Sequence, residues 1–463
     1  MGNFIPNELV SPVALLWVLC GLGALAVAVM AGLNRYQSVV MAMIASTWIR
    51  SFYVVNERVF PSEAESNPGT YMRLAILGLV GAIGVIYFIQ MRYTSGTRIP
   101  MHFTLMAIFM LYAGISVTYS LDPQFSVARI AEFSAFSAFL LGVHAWVTSA
   151  DRVQTTLNVL FWTSVIGIFV NLSSLALFPD MIWFYETPSR FQGVMGDPNN
   201  LGGFLLMAYP ILLLKYRQLQ RPGRMFLAPV IAIAVGLHAL SGSRSSIGAA
   251  FLGLLVWHCA LNQKVKAAAL AAGAVGVACL IYISPIASFQ RDSQSNIADL
   301  TGRTGIWEAS VGVLKSRPLT GFGYQVNGAI LTKVNLDISD WYLNESVSAR
   351  FTLHNGYLSI AVGNGVLGLV LWCLILAIPI IYAVNMPRST LKAMLLALMV
   401  QALFLNIIED YILCGPRFTG PLVFWIAWVL AGRFADGYET GSMLYDIEQK
   451  APNHAFAAHH SAR

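Results

Sequence analysis

The feature that most constrains this chain is a succession of apolar runs, each roughly 20 residues long, separated by short polar breaks. A run of that length crosses the hydrocarbon as one helix, and the helix satisfies its backbone polar groups internally, as lipid demands. Candidate spans lie at 13–33, 37–55, 71–91, 102–120, 126–148, 155–178, 199–216, 225–241, 245–262, 266–284, 356–384, 393–413 and 419–435. Arg50 interrupts the second of these. The first lacks a basic segment before it and reads as a retained span rather than a cleaved signal. Only 11% of residues are charged and 57% are apolar, whereas a soluble domain carries about a quarter charged residues. The expectation is an all-α polytopic membrane protein with about 12–13 transmembrane helices.

Orientation follows from the short loops. Lys215, Arg217, Arg221 and Arg224 occupy one loop without an acid, Lys264 and Lys266 another, and Arg388 and Lys392 a third. Alternating spans put these on one face together with Arg92, Arg98 and Arg152, and that face is expected to be cytoplasmic. The acidic loop with Glu57, Glu63 and Glu65 then falls outside. The net charge of +6 fits this bias, and no basic stripe interleaved with aromatics points to nucleic acid. Cys20, Cys259, Cys279, Cys373 and Cys414 form no C-x-x-C pair and read as small packing residues. His102, His144, His238, His258, His454, His459 and His460 show no metal-ligand spacing, and the outer loops hold no D-x-D pair. Neither a metal nor a cofactor is expected.

Five regions follow: an N-terminal transmembrane bundle (1–178), helices with arginines at their outer ends (179–284), a long outer loop (285–353), C-terminal transmembrane helices (354–436) and a polar cytoplasmic tail (437–463). Long loops in compact proteins are usually functional. In the outer loop, Ile306, Trp307, Val311 and Leu314 are expected to share one face of an amphipathic helix, lying on the membrane surface or capping the bundle.

Several polar residues on the outer side require explanation. His354 and Asn355 lead directly into an apolar helix. Free amides at a helix N-terminus favour a neutral imidazole and attract anions, so His354 reads either as a general base or as a residue capping its own helix. Arg190 precedes Asp197-Pro198-Asn199-Asn200, a turn and helix start; Arg244 lies in a polar break between two spans; Arg303 precedes the loop helix; Arg417 lies between the last two spans. All four fall on the side of His354, where a cytoplasmic bias cannot account for them. Each alone could snorkel to lipid headgroups or meet an acid, and Arg417 is the expected partner of Glu409 and Asp410. Glu345 is a candidate to orient His354. Converging guanidinium groups beside a histidine suggest a phosphorylated lipid substrate.

The ordered set of these residues resembles the O-antigen ligase and polymerase superfamily. His354-Asn355 with Gly365 and Gly368 fits its histidine motif; Thr301-Gly302-Arg303-Thr304, Ile306-Trp307, Pro318 and Gly321-Phe322-Gly323 look like its outer-loop pattern; Arg190, Gly193, Pro198-Asn199 and Ser243-Arg244 look like its arginine motifs. The resemblance covers roughly residues 180–375. It implies a GT-C-like bundle with a large periplasmic loop, in a bacterial inner membrane. It also implies metal-independent, inverting transfer of a glycan from an undecaprenyl-diphosphate-linked oligosaccharide to an acceptor hydroxyl. On that basis His354 is the base or aligns the acceptor, Arg190 and Arg244 bind the diphosphate, Arg303 supports them, and Asn355 and Arg417 are further candidates. The acceptor is a second lipid-linked glycan in a polymerase and lipid A-core in a ligase, and the motifs look more like exopolysaccharide polymerases. Membrane lipids, a chain-length regulator and a flippase are candidate partners. A lipid-linked glycan transporter is the alternative of another class.

Overall fold

In the described residues, every expected span is helical. A computed structural model describes residues 36–57, 68–177, 179, 182–184, 190–283, 303–327, 330, 352–415 and 417–434. The expected span 13–33, the side chains of Arg50 and Glu57, residues Glu63, Glu65 and Glu345, and the C-terminal tail lie outside them. The helices are α1 (Tyr36–Glu57), α2 (Pro68–Ser95), α3 (Met101–Ser116), α4 (Pro123–Trp146), α5 (Ala150–Leu177), α6 (Pro198–Gln218), α7 (Arg221–Ser241), α8 (Arg244–Ala260), α9 (Lys264–Ile283), α10 (Arg303–Leu314), α11 (Gly356–Asn385), α12 (Thr390–Ile408) and α13 (Thr419–Arg433). The chain is an all-α polytopic membrane protein. Among the described residues, seven helices are long and apolar enough to cross a membrane: α2, α3, α4, α5, α7, α11 and α12. Arg50 does not break α1, which runs through it. At 15 residues α13 is shorter than its expected span, but every residue from Thr419 to Gly432 is buried. A helix apolar all round belongs at the centre of a bundle.

Around α13 the core is aromatic. Trp425 packs edge-on against Trp372 at 5.9 Å, Phe136 at 6.1 Å and Trp428 at 5.2 Å between ring centroids. His102 lies beside the Trp428 ring at 4.5 Å, and His144 lies close to His102. Small residues set the closest helix pair. Gly81 and Gly84 of α2 face the backbone of Ala135 and Ala138 on α4, where a Cβ would come within 2.6 Å of one carbonyl oxygen and 2.3 Å of the other. Such small-residue faces let membrane helices approach at backbone distance.

Two departures from the sequence expectation shape the end of the bundle that carries His354. α11 is not one straight helix, because Gly365 adopts φ +66° and bends it. The Pro318–Gly323 loop fills the bend: Phe322 N–H donates to the Val362 carbonyl (3.0 Å), Gly323 N–H to that of Gly363 (2.8 Å), and Val366 N–H to that of Pro318 (2.8 Å). The outer-loop and histidine motifs thus form one interlocked unit. The buried face of α10 is Ile306, Ser310 and Val313, packed on α11, while Val311 is exposed. The expected stripe through Val311 is therefore corrected. Spacing of i, i+4, i+7 is the face that meets a neighbouring helix, and here that face packs on α11.

Candidate active site

His354 is held from both sides along the chain. Asn355, in extended conformation, caps α11 by accepting from Tyr357 N–H (3.1 Å) and Leu358 N–H (2.9 Å). Leu353 is buried with Ile306, Val313 and Val362, and its carbonyl accepts from Trp307 Nε1–H at 2.9 Å. Between these anchors His354 has φ +48°, a left-handed conformation uncommon outside glycine and concentrated at functional sites. Its side chain is 34% exposed. Asn355 engages two of the first helix amides, and the hydrogen-bond partner of the ring, a carboxylate, lies on another element.

His354 Nδ1 lies 2.9 Å from Glu409 Oε2. An ionised carboxylate only accepts, so Nδ1 is the donor in this contact and Nε2 is the ring nitrogen that Glu409 does not engage. Glu409 is the C-cap of α12. Its other oxygen accepts from Arg303 Nη2 at 2.6 Å, and Arg303 Nη1 donates to the Ile408 carbonyl. Burial works to raise the Glu409 pKa, but the hydrogen bond and charge of His354 and the guanidinium of Arg303 outweigh it, holding the carboxyl below its ordinary value. Next to it, burial pushes the Asp410 carboxyl up, opposed by a hydrogen bond from Ser359 Oγ at 2.7 Å.

The structure thus gives Glu409 partners other than the one expected from sequence. Glu409 was expected to pair with Arg417; it pairs with Arg303 and His354 instead. Arg417 binds Glu132, through Nη2 at 3.0 Å and Nε at 3.3 Å, and reaches Gln325 Oε1 at 3.5 Å. Arg303 and Trp307 lie one helical turn apart on α10 and grip His354 together, one through Glu409 and one through Leu353.

Arg190 and Arg244 flank a single turn. Asp197 and Pro198 start α6 as expected, with the Asp197 carboxylate accepting from Asn199 N–H at 2.6 Å. Arg190, buried, donates from Nε to the Ser241 carbonyl and from Nη2 to Asn199 Oδ1, both at 2.9 Å. Gly242 closes the turn at φ +58°, and Arg244 opens α8 as an exposed residue. His238 braces the turn from below, between Tyr209 Oη (3.0 Å) and Ser246 Oγ (2.7 Å). Gly202 of α6 meets Ser243 and Ser246, and the next carbonyl, of Gly203, accepts from Tyr411 Oη at 2.8 Å. Tyr411 follows Asp410, so packed contacts run from the two arginines to the His354–Glu409 pair at one end of the bundle.

Comparisons with known proteins agree with this region of the chain. Residues 229–373 match the family described as O-Antigen ligase (Wzy_C). The chain is similar to the "General O-oligosaccharyltransferase" of Acinetobacter baylyi, 24% identical over 347 residues, 66% of this chain and 58% of that protein. It is also similar to the "Exopolysaccharide production protein ExoQ" of Rhizobium meliloti, 25% identical over 225 residues, 46% of this chain and 45% of that protein. The chain spans about half the length of these curated relatives. These matches bear out the resemblance to the O-antigen ligase and polymerase superfamily.

Proposed function

We propose that this chain is a membrane glycosyltransferase of the bacterial inner membrane. It moves a glycan from an undecaprenyl-diphosphate carrier to an acceptor hydroxyl on the periplasmic side, and so polymerises repeat units. The observation that carries the reading is the His354–Glu409–Arg303 chain of charge-assisted contacts. His354 Nε2 takes the acceptor hydroxyl proton as the acceptor oxygen attacks the anomeric carbon. The bond from that carbon to the diphosphate oxygen breaks, the electron pair leaves with the diphosphate, and the configuration inverts. Glu409 fixes the ring tautomer and stabilises the imidazolium as it forms, while Arg303 holds Glu409 in place. Arg190 and Arg244, around the Ser241–Ser243 turn, bind the departing diphosphate.

The likeness to ExoQ favours a lipid-linked glycan as acceptor. The likeness to the O-oligosaccharyltransferase, which covers more of this chain, keeps transfer to a different acceptor as the second reading. Purified protein in lipid, given an undecaprenyl-diphosphate oligosaccharide alone and then with lipid A-core, separates them. A product ladder from the first substrate alone, absent with His354→Ala, is expected. Product only with lipid A-core makes the chain a ligase. Carrier binding without product, in folded protein, returns the transporter reading.

A further inference from the structure

A second arginine cluster gathers on one buried carboxylate. Its centre is Glu132, 5% exposed, in the first half of α4. Arg73 Nη1 reaches Oε1 at 2.6 Å, Arg129 Nη1 reaches Oε2 at 2.8 Å, and Arg417 lies on both oxygens. Among the described residues, Arg73 and Arg129 share this one carboxylate. Arg73 is 1% exposed, makes its one described hydrogen bond through Nη1, and keeps a buried Nε without a partner. The Nε of Arg129 is buried without a partner as well, although 26% of its side chain is exposed and its guanidinium lies 4.5 Å from the Phe125 ring centroid.

Burying cations in excess of their counter-charge is costly, and unmet donors add to the cost. An anion that accepts several hydrogen bonds removes both penalties, and guanidinium forks match phosphate oxygens in geometry. Arg73 is near the start of α2 and Arg129 near the start of α4, while Arg417 ends the same connection that Glu409 begins.

We propose that Arg73, Arg129 and Arg417, gathered on Glu132, form a second site for the phosphate or diphosphate of a membrane lipid. Its assignment to substrate rests on the polymerase reading. That reaction needs two carrier-linked glycans at once: one diphosphate departs, at Arg190 and Arg244, and the other stays attached to the acceptor. A chain with a single diphosphate site would leave the acceptor's charge unmatched.

The test titrates undecaprenyl diphosphate into the purified full chain in phosphatidylcholine nanodiscs and counts bound equivalents. Two are expected for the wild type. Arg129→Gln, which leaves Arg73 and Arg417 on Glu132 and so preserves folding, weakens one of them by at least about tenfold. Arg73→Gln does the same, and Arg190→Ala removes the other. One equivalent in the wild type, or two undiminished in both Arg73→Gln and Arg129→Gln, overturns the second site and leaves the proposed reaction standing. No equivalents at all sinks the carrier-based reaction together with it. In nanodiscs containing phosphatidylglycerol, retention of the second equivalent supports a substrate site, whereas its displacement makes the cluster a phospholipid headgroup site and overturns the acceptor assignment.

Discussion

His354 Nδ1 and Glu409 Oε2 meet at 2.9 Å although the two residues lie 55 positions apart, one just ahead of α11 and the other at the end of α12. The start of α11 and the end of α12 meet there, and α10 adds Arg303 to the pair. The carboxylate therefore sets which ring nitrogen of His354 donates in this contact.

Glu409→Gln is expected to lower kcat by about 10²-fold or more while the KM for donor stays near that of the wild type. The glutamine amide can donate to Nδ1 and so hold the ring in the wrong tautomer. Arg303→Ala acts through the same carboxylate, so adding it to Glu409→Gln costs far less than the sum of the single losses. Additive losses in steady-state kinetics would separate Arg303 from Glu409.

The two arginines proposed to bind the diphosphate differ in their surroundings. Arg190 is buried, and its fork bridges the Ser241 carbonyl and Asn199; Arg244 is exposed. A lysine cannot reproduce the fork. Arg190→Lys is thus expected to be as impaired in donor binding as Arg190→Ala, whereas Arg244→Lys falls between its alanine variant and the wild type. Full donor affinity in Arg190→Lys would contradict this account.

Acid should act on the site through Glu409 and Asp410 in opposite senses. The folded Glu409 pKa is depressed, so its contribution to stability is complete above the ordinary 4.5 and is lost as pH falls through the lower folded value. The folded Asp410 pKa is raised, so its contribution is complete below the ordinary 3.8 and is lost as pH rises through the higher folded value. Thermal unfolding in detergent between about pH 7 and pH 3 checks both. Glu409→Gln should lack part of the wild-type loss in Tm at the acid end, and Asp410→Asn should lack the loss on the rising side. Parallel Tm profiles for all three proteins would show that neither carboxyl is perturbed.

Gly365→Ala tests the bend in α11. A Cβ there would stand 2.1 Å from the Leu319 carbonyl oxygen, on a backbone at φ +66°. The conformation alone costs about 1–3 kcal/mol for a residue with a side chain, and the clash adds to it. Gly114, which has open space around its Cβ position, serves as control. Folded yield and Tm should fall for Gly365→Ala and hold for Gly114→Ala.

Much of this was legible in sequence because it is local. Asp197-Pro198 starts α6, Asn355 caps α11, and apolar run length places each described span. What escaped was partnership across the chain. Arg417 is the arginine nearest Glu409 in sequence, yet Arg303, 106 positions away, is the one that binds it. Glycines 321, 323 and 365 stood in recognisable motifs, but spacing does not say that a loop docks into a bent helix. Arg73 and Glu132 sit inside apolar runs, where one charge looks like an interruption until its partner on another helix is seen.

The docking of the Pro318–Gly323 loop into the α11 bend bears on how such chains are recombined. Backbone hydrogen bonds across Val362, Gly363 and Val366 make the two segments one mechanical part, and Trp307 ties α10 to the residue before His354. A chimera that exchanges residues 303–323 alone would graft half of a joint. Residues 303–323 and 352–366 form the smallest cassette that carries the joint whole.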